Sequence, residues 1–224
     1  MSASKLATFF AFYKKNRSRR LFGFFNDLAT RAMNVRLIRA LVRRPSTLRC
    51  LIVGCAHWAN PRDLKKFLTQ YNPRLRVAVV ALDVLPQALE EAVQHGVDFL
   101  PIVTPAQATP FLDHYFDLLV ADGLLNCCDF DQHEAIVREM HRISRPGALV
   151  LLGLAHAAAR QVVTSPERAM PAHCRPLREF KHLFTDAGFS FPRASSVETD
   201  FGRDSDVKIE NCIARRRAGR GVAK

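Results

Sequence analysis

Residues 48–83 read LRCLIVGCAHWANPRDLKKFLTQYNPRLRVAVVALD, and this stretch decides the fold. LRCLIV (48–53) is a short apolar run that ends at Gly54, the pattern of a strand buried on both faces. Residues 61–71 follow with helical spacing and with Pro61 suited to a first helical turn. RVAVVALD (76–83) is a second apolar strand that stops at an acid, Asp83. Strand, helix and strand within 36 residues make a right-handed βαβ unit, which requires a parallel sheet.

The same alternation continues downstream. Residues 86–95 predict a helix closed by Gly96, where a C-cap glycine belongs, and residues 97–103 a third strand. FDLLVA (116–121) predicts a fourth strand, residues 131–143 an amphipathic helix ending before Pro146-Gly147, and ALVLLGL (148–154) a fifth strand. A helix over 177–187 stops at Gly188. Two strand-like runs, 190–197 and 207–215, then predict an antiparallel hairpin at one sheet edge.

Upstream the composition changes. Residues 1–49 hold twelve Lys or Arg against the single acid Asp27, and residues 215–224 add five more basic residues. The 165 residues between carry 16 basic and 20 acidic side chains, so the formal charge of +12 belongs to the two ends. Phe9, Phe10, Phe12, Tyr13, Leu21, Phe22, Phe24, Phe25 and Leu28 alternate with Lys and Arg at helical spacing, predicting helices over 4–15 and 18–43. Their apolar faces would pack on the main domain or close over a site as a lid. Their basic faces would meet water, an anionic membrane surface or nucleic acid, the last not favoured. The expected organisation is 1–46 a helical lid, 47–215 the α/β domain, and 216–224 a basic flexible tail.

The chain is 48% hydrophobic, but its longest apolar stretch, 148–159, is interrupted by His156 and is shorter than the ~20 residues of a spanning helix. No secretory signal is read at the N-terminus. The six cysteines form no C-x-x-C pair, so no disulfide framework or metal site is predicted, and a reducing cytoplasm is the expected compartment.

In a sheet of this kind ligands bind beyond the carboxyl ends of the strands. The residues to examine are therefore 54–58, Asp83, Thr104 and 122–126. Gly54 permits a tight turn close to a ligand. Asp83 is placed either to cap the following helix or to accept a pair of ribose hydroxyls.

REMHRISRPGALVLLGL (138–154), FDLLVADGLL (116–125), FKHLFTDAGF (180–189) and VVALD (79–83) together resemble the class I S-adenosylmethionine (SAM)-dependent methyltransferases, over residues 48–215. The resemblance implies a Rossmann-like, doubly wound, mostly parallel seven-stranded sheet in the order 3-2-1-4-5-7-6, with strand 7 antiparallel. It implies SAM as cofactor and Gly54, Cys55, Ala56, His57, Asp83, Val84, Thr104 and Asp122 as its binding set. Asn126, His156 and His173 are the candidate catalytic residues, the first to orient an acceptor and the histidines to take its proton. The Asn-Pro-Pro-Tyr signature of amino-group and base methylation is absent, and a small-molecule acceptor is expected of one compact domain without an RNA-binding module.

The first motif departs from the family. Ala56 and Trp58 stand where glycines are usual, and Ile52 where an acid is usual. SAM's sulfonium makes each carbon on sulfur an electrophile. Without a carboxylate to hold the proton of its amine, the amine is freer to attack the γ-carbon. That reaction closes an azetidine ring and releases methylthioadenosine, and it is the alternative to methyl transfer. A non-catalytic binding module is the third reading. The number of chains in the assembly is not read from the sequence.

Overall fold

In the computed structural model, residues 21–43, 47–55, 57, 59–165, 168–200 and 206–218 are described. The βαβ reading holds. β1 (Thr47–Val53) pairs in parallel with β2 (Arg76–Asp83) from Thr47↔Arg76 to Val53↔Leu82, and with β4 (Phe116–Asp122) through Cys50↔Leu118. β3 (Leu100–Val103) lies outside β2, and β5 (Ser144–His156) outside β4, both parallel. β10 (Lys208–Arg216) runs antiparallel to β5 and carries β8 (Phe189–Ser190) beyond it. The path is β3-β2-β1-β4-β5-β10-β8, the order expected from the resemblance.

Period-two alternation divides the strands between two cores. Cys50, Ile52, Val79, Ala81, Leu118, Val120, Leu149, Leu151 and Ile213 face one side, which is covered by four helices. These are α1 (Leu21–Ala29), α2 (Ala32–Val42), α3 (Asn60–Thr69) and α4 (Pro86–Gln94). Leu51, Val53, Leu119, Ala121, Val150, Leu152 and Cys212 face the other, against α5 (His133–Ile143) and α6 (Leu177–Asp186). With both faces covered, the central strands are largely apolar on both sides.

Several expectations change. The helix read over 18–43 is two helices: Thr30 caps back onto the Asp27 carbonyl at 2.7 Å, and the Asn34 amide donates to the Leu28 carbonyl at 2.9 Å across the break. α1 packs as a fixed layer, its Phe25 fully buried and stacked on Phe67 of α3 with ring centroids 4.6 Å apart. The helix read over 4–15 lies outside the described residues, as does half of the lid expected over 1–46. β5 begins at Ser144 rather than after Pro146-Gly147. Those two residues occupy an irregularity where the register against β4 shifts, with Gly147 at φ 79°.

The sheet has eight strands, not seven. The run at 190–197 splits into β8 and β9 (Val197–Asp200), and β9 pairs with the other end of β10. Between β5 and the helix at Leu177 lies a second small sheet that the strand pattern did not predict, the hairpin of β6 (Gln161–Ser165) and β7 (Arg168–Cys174). β10 continues through Arg216, one residue into the stretch read as a tail, and residues 219–224 lie outside the described residues. No described helix is long and apolar enough to cross a membrane.

Candidate active site

The carboxyl ends of β1, β2, β4 and β5 form one rim. At β1, Gly54 adopts φ 76°, and the Gly54 and Cys55 amides both donate to the Leu82 carbonyl at 3.0 Å. The loop is thereby pulled against the end of β2. Beyond Gly54, side chains hold its shape. The Asn60 amide donates to the Cys55 carbonyl at 2.6 Å, and the His57 Nδ1 accepts the Ala59 amide at 3.0 Å. That bond makes Nε2 the protonated nitrogen of a neutral His57. His57 and Asn60 are both buried, and burial pushes the Cys55 thiol well above the ordinary range. Ala56 and Trp58 lie outside the described residues.

Asp83 ends β2, only 4% exposed, and its Oδ1 accepts the Leu85 amide at 3.0 Å. This is a turn ahead of α4 of the kind a carboxylate makes with an amide two residues on. Val84 beside it is 38% exposed, unusual for a large apolar side chain at a strand end. Thr104 is tied to the same corner, its amide donating to the Asp83 carbonyl at 3.1 Å and its hydroxyl to the Ala108 carbonyl at 3.2 Å.

β4 delivers Asp122, exposed at its end. The register sets Asp122 opposite Gly153 and Gly153 opposite Asn211, so all three share one face. A Cβ on Gly153 would stand 2.0 Å from Asp122 Oδ1, so the carboxylate lies directly over this glycine. The Asn211 amide donates to Asp27 of α1 at 3.1 Å, which joins the N-terminal layer to the rim. Leu124, in the turn after β4, leans on Gly54: a Cβ there would meet its Cδ1 at 3.1 Å.

Asn126, in the short 3-10 turn Leu125–Cys127, is fully engaged. Its amide donates to the carbonyls of Ala155 (2.7 Å) and His173 (3.0 Å), and its oxygen accepts the Ala155 amide at 2.8 Å. It clamps the end of β5 to the β6–β7 hairpin. His173 itself pairs through Nε2 with Asp129 at 3.2 Å and packs edge-on against Phe130, while its buried Nδ1 has no hydrogen-bond partner. Behind it, His133 donates to the Cys128 carbonyl at 3.1 Å and accepts from Arg175 Nε at 3.0 Å. Burial is the main reason its pKa falls to about 4.

His156 turns the other way, toward Glu198 and Glu210. Burial lowers its pKa, against the opposing pull of the two carboxylates.

The expected cofactor set is thus gathered on one rim, as far as it is described. The three candidate catalytic residues separate: Asn126 and His173 join through the hairpin, and His156 belongs to a different cluster. Asn60, Asp129, Gly153 and Asn211 were not singled out in the sequence, and Leu124 was read only as part of the stretch 122–126. Gly153 inside an apolar strand was the one local signal, since a strand-interior glycine marks a close approach.

The fold and rim define a Rossmann-like α/β protein with its ligand edge at the switch in strand order. Residues 53–152 match the family model described as a methyltransferase domain, and the fold is that of the class I SAM-dependent methyltransferases. No curated protein matches the sequence.

Solved structures share the fold at low identity. A SAM-dependent methyltransferase from Methanosarcina mazei matches with TM-score 0.61 and 18% identity, over 78% of this chain and 95% of that one. The Burkholderia thailandensis 1,6-didemethyltoxoflavin-N1-methyltransferase, solved with 1,6-didemethyltoxoflavin and S-adenosylhomocysteine, matches with TM-score 0.60 and 16% identity, over 97% and 92%. The [4+2]-cyclase SpnF matches with TM-score 0.57 and 14% identity, over 83% and 82%.

Proposed function

We propose that the protein binds SAM along the carboxyl ends of β1, β2 and β4 and methylates a small-molecule acceptor beside the β6–β7 hairpin. The observation that carries this is the rim itself. A left-handed Gly54 hydrogen-bonded to the end of β2, the buried Asp83 beside an exposed Val84, and Asp122 laid over Gly153 stand side by side. Asp83 suits a ribose diol, which needs an acceptor for two hydroxyls, and Val84 offers an apolar surface to an adenine. Asp122 suits the ammonium of the methionine end. When bound, SAM supplies an electrophilic methyl carbon.

The chain's own contribution is then placement, exclusion of water and custody of one proton. His173 Nδ1 is the group to receive a proton from the acceptor, with Asp129 holding Nε2–H and so fixing the tautomer. Asn126 acts as a positioning residue, through the His173 carbonyl.

A second reading is ring closure of SAM to azetidine-2-carboxylate and methylthioadenosine. Ile52, where the family usually has an acid, lies in the core at 1% exposure, so that position offers no carboxylate to hold the ammonium proton. The fold also occurs in a [4+2]-cyclase, so the architecture does not by itself commit to methyl transfer.

One incubation separates the readings. Purified protein with SAM alone, analysed by mass, leaves SAM intact under methyl transfer and yields methylthioadenosine with the ring-closed amino acid under cyclisation. Asp83→Asn, which keeps an acceptor for the Leu85 amide, is expected to weaken SAM binding about 10-fold or more with little change in melting temperature. Failure of wild-type protein to bind SAM in calorimetry would refute both.

A further inference from the structure

We propose that His156, Glu198 and Glu210 form a binding site for a divalent first-row transition-metal ion at the junction of β5, β9 and β10. The sheet brings them together. His156 is the last residue of β5 and pairs with Lys208; Glu210, two residues on in β10, pairs directly with Glu198 of β9. Their ligand atoms, one per residue, all lie within 4.8 Å of one another, and His156 Nε2 is 3.6 Å from Glu198 Oε2.

Two features call for a cation at the centre. Like charges directly across a strand pair are destabilising, yet Glu198 and Glu210 face each other, the second only 4% exposed. His156 Nε2 is shut off from solvent and has no hydrogen-bond partner, so a polar nitrogen is aimed into the group without a role.

The donor set is chemically specific. One imidazole nitrogen and two carboxylate oxygens suit Zn²⁺, Mn²⁺, Co²⁺ or Fe²⁺ better than Ca²⁺, which prefers oxygen alone. Three protein ligands also leave coordination positions for water or a further ligand. Two lysines balance the carboxylates from outside, Lys208 on Glu198 at 2.7 Å and Lys181 on Glu210 at 3.3 Å. Their side chains are 50% and 35% exposed, so both can swing into water as an ion enters. The bound ion would tie β9 to the end of β5 one residue beyond Ala155, the residue that Asn126 holds. The site stands independently of which SAM reaction the rim performs.

The test uses the full chain, untagged and stripped with chelator, titrated with Co²⁺ and with Mn²⁺ by calorimetry and visible absorption. One ion per chain is expected, with d–d absorption and no intense thiolate charge-transfer band. His156→Ala and Glu198→Gln are each expected to lower affinity about 10-fold or more. Glu198 is 46% exposed, so its variant tests the site without threatening the fold, and the metal-free melting temperature should hold. Absence of binding, a thiolate band pointing to the cysteines, or unchanged affinity in Glu198→Gln would each overturn the proposal.

Discussion

Gly153→Ala isolates the role of Asp122 more cleanly than any change to Asp122 itself. The new Cβ would stand 2.0 Å from Asp122 Oδ1, a distance no real methyl tolerates, and a tight 3.1 Å from its Cγ. Asn211 Oδ1 at 3.4 Å is an ordinary contact, so strain falls on the carboxylate alone. Asp122 is exposed, and its side chain can rotate into water while the backbone stays. Alanine in a strand interior gains ~0.5–1 kcal/mol over glycine, and losing the carboxylate's present contacts costs about 1 kcal/mol. The two nearly cancel. The residual of ~0.5 kcal/mol or less moves the melting temperature of a domain this size by only ~1–2 °C.

Ligand binding should respond differently. A carboxylate that accepts from an ammonium contributes ~1.5–3 kcal/mol, so its displacement should weaken SAM about 10- to 100-fold. Calorimetry with SAM and S-adenosylhomocysteine, alongside thermal melts, reads both quantities. Unchanged affinity with an intact melt would refute the assignment of Asp122 to the methionine end. A collapse in melting temperature would refute the premise that the carboxylate is free to swing.

His57→Ala strands the buried Ala59 amide at a cost of ~1–3 kcal/mol and should reduce SAM affinity by loosening the β1 loop. His57→Asn, which can accept an amide two residues on, should restore most of it, as calorimetry on both variants will show. Phe25→Ala removes a fully buried ring stacked on Phe67 and should cost ~3–5 kcal/mol in urea unfolding, a loss too large for a helix that merely rests on the domain. For His133, whose folded pKa is about 4 against an ordinary 6.5, the unfolded chain binds the extra proton between those values. Its stabilising share is therefore complete above about pH 6.5 and lost as pH falls toward 4. The full shift corresponds to ~3 kcal/mol, and about 2 kcal/mol is expected after allowance for residual hydration. His133→Asn should flatten that part of the stability–pH curve, measured by urea midpoints.

The central sheet was legible because both of its faces are covered, which makes each strand a short apolar run ending at Gly54, Asp83 or Asp122. Rim position follows from those ends, so Asp83 and Asp122 could be placed before any coordinates. The later strands were not legible in the same way. β8 has two residues and β9 four, and neither carries an apolar pattern of its own. β9 exists because the edge of β10 offers it partners, a tertiary cause invisible in a local window. The β6–β7 hairpin was missed for a similar reason: QVVTS is short, and its register is irregular. Asn126 shows the limit for sites. Its residue type allowed either acceptor orientation or a clamp, and only the geometry of Ala155 and His173 shows the clamp.

The departures in the first motif acquire a physical sense from the loop that replaces it. A glycine-rich turn reaches its shape through backbone freedom, whereas among the described residues of this loop Gly54 alone takes a left-handed conformation, and His57 and Asn60 add side-chain bonds. Side-chain bonds constrain a loop in the absence of ligand, which lowers the entropy that binding would otherwise have to remove. They also commit amide and carbonyl groups inward that a glycine loop would leave to the ligand. Under the proposed SAM site, recognition then rests on the neighbouring strand ends, Asp83 and Asp122, more than on the loop backbone. That redistribution is why displacing the Asp122 carboxylate, with the loop untouched, is the more incisive perturbation of this rim.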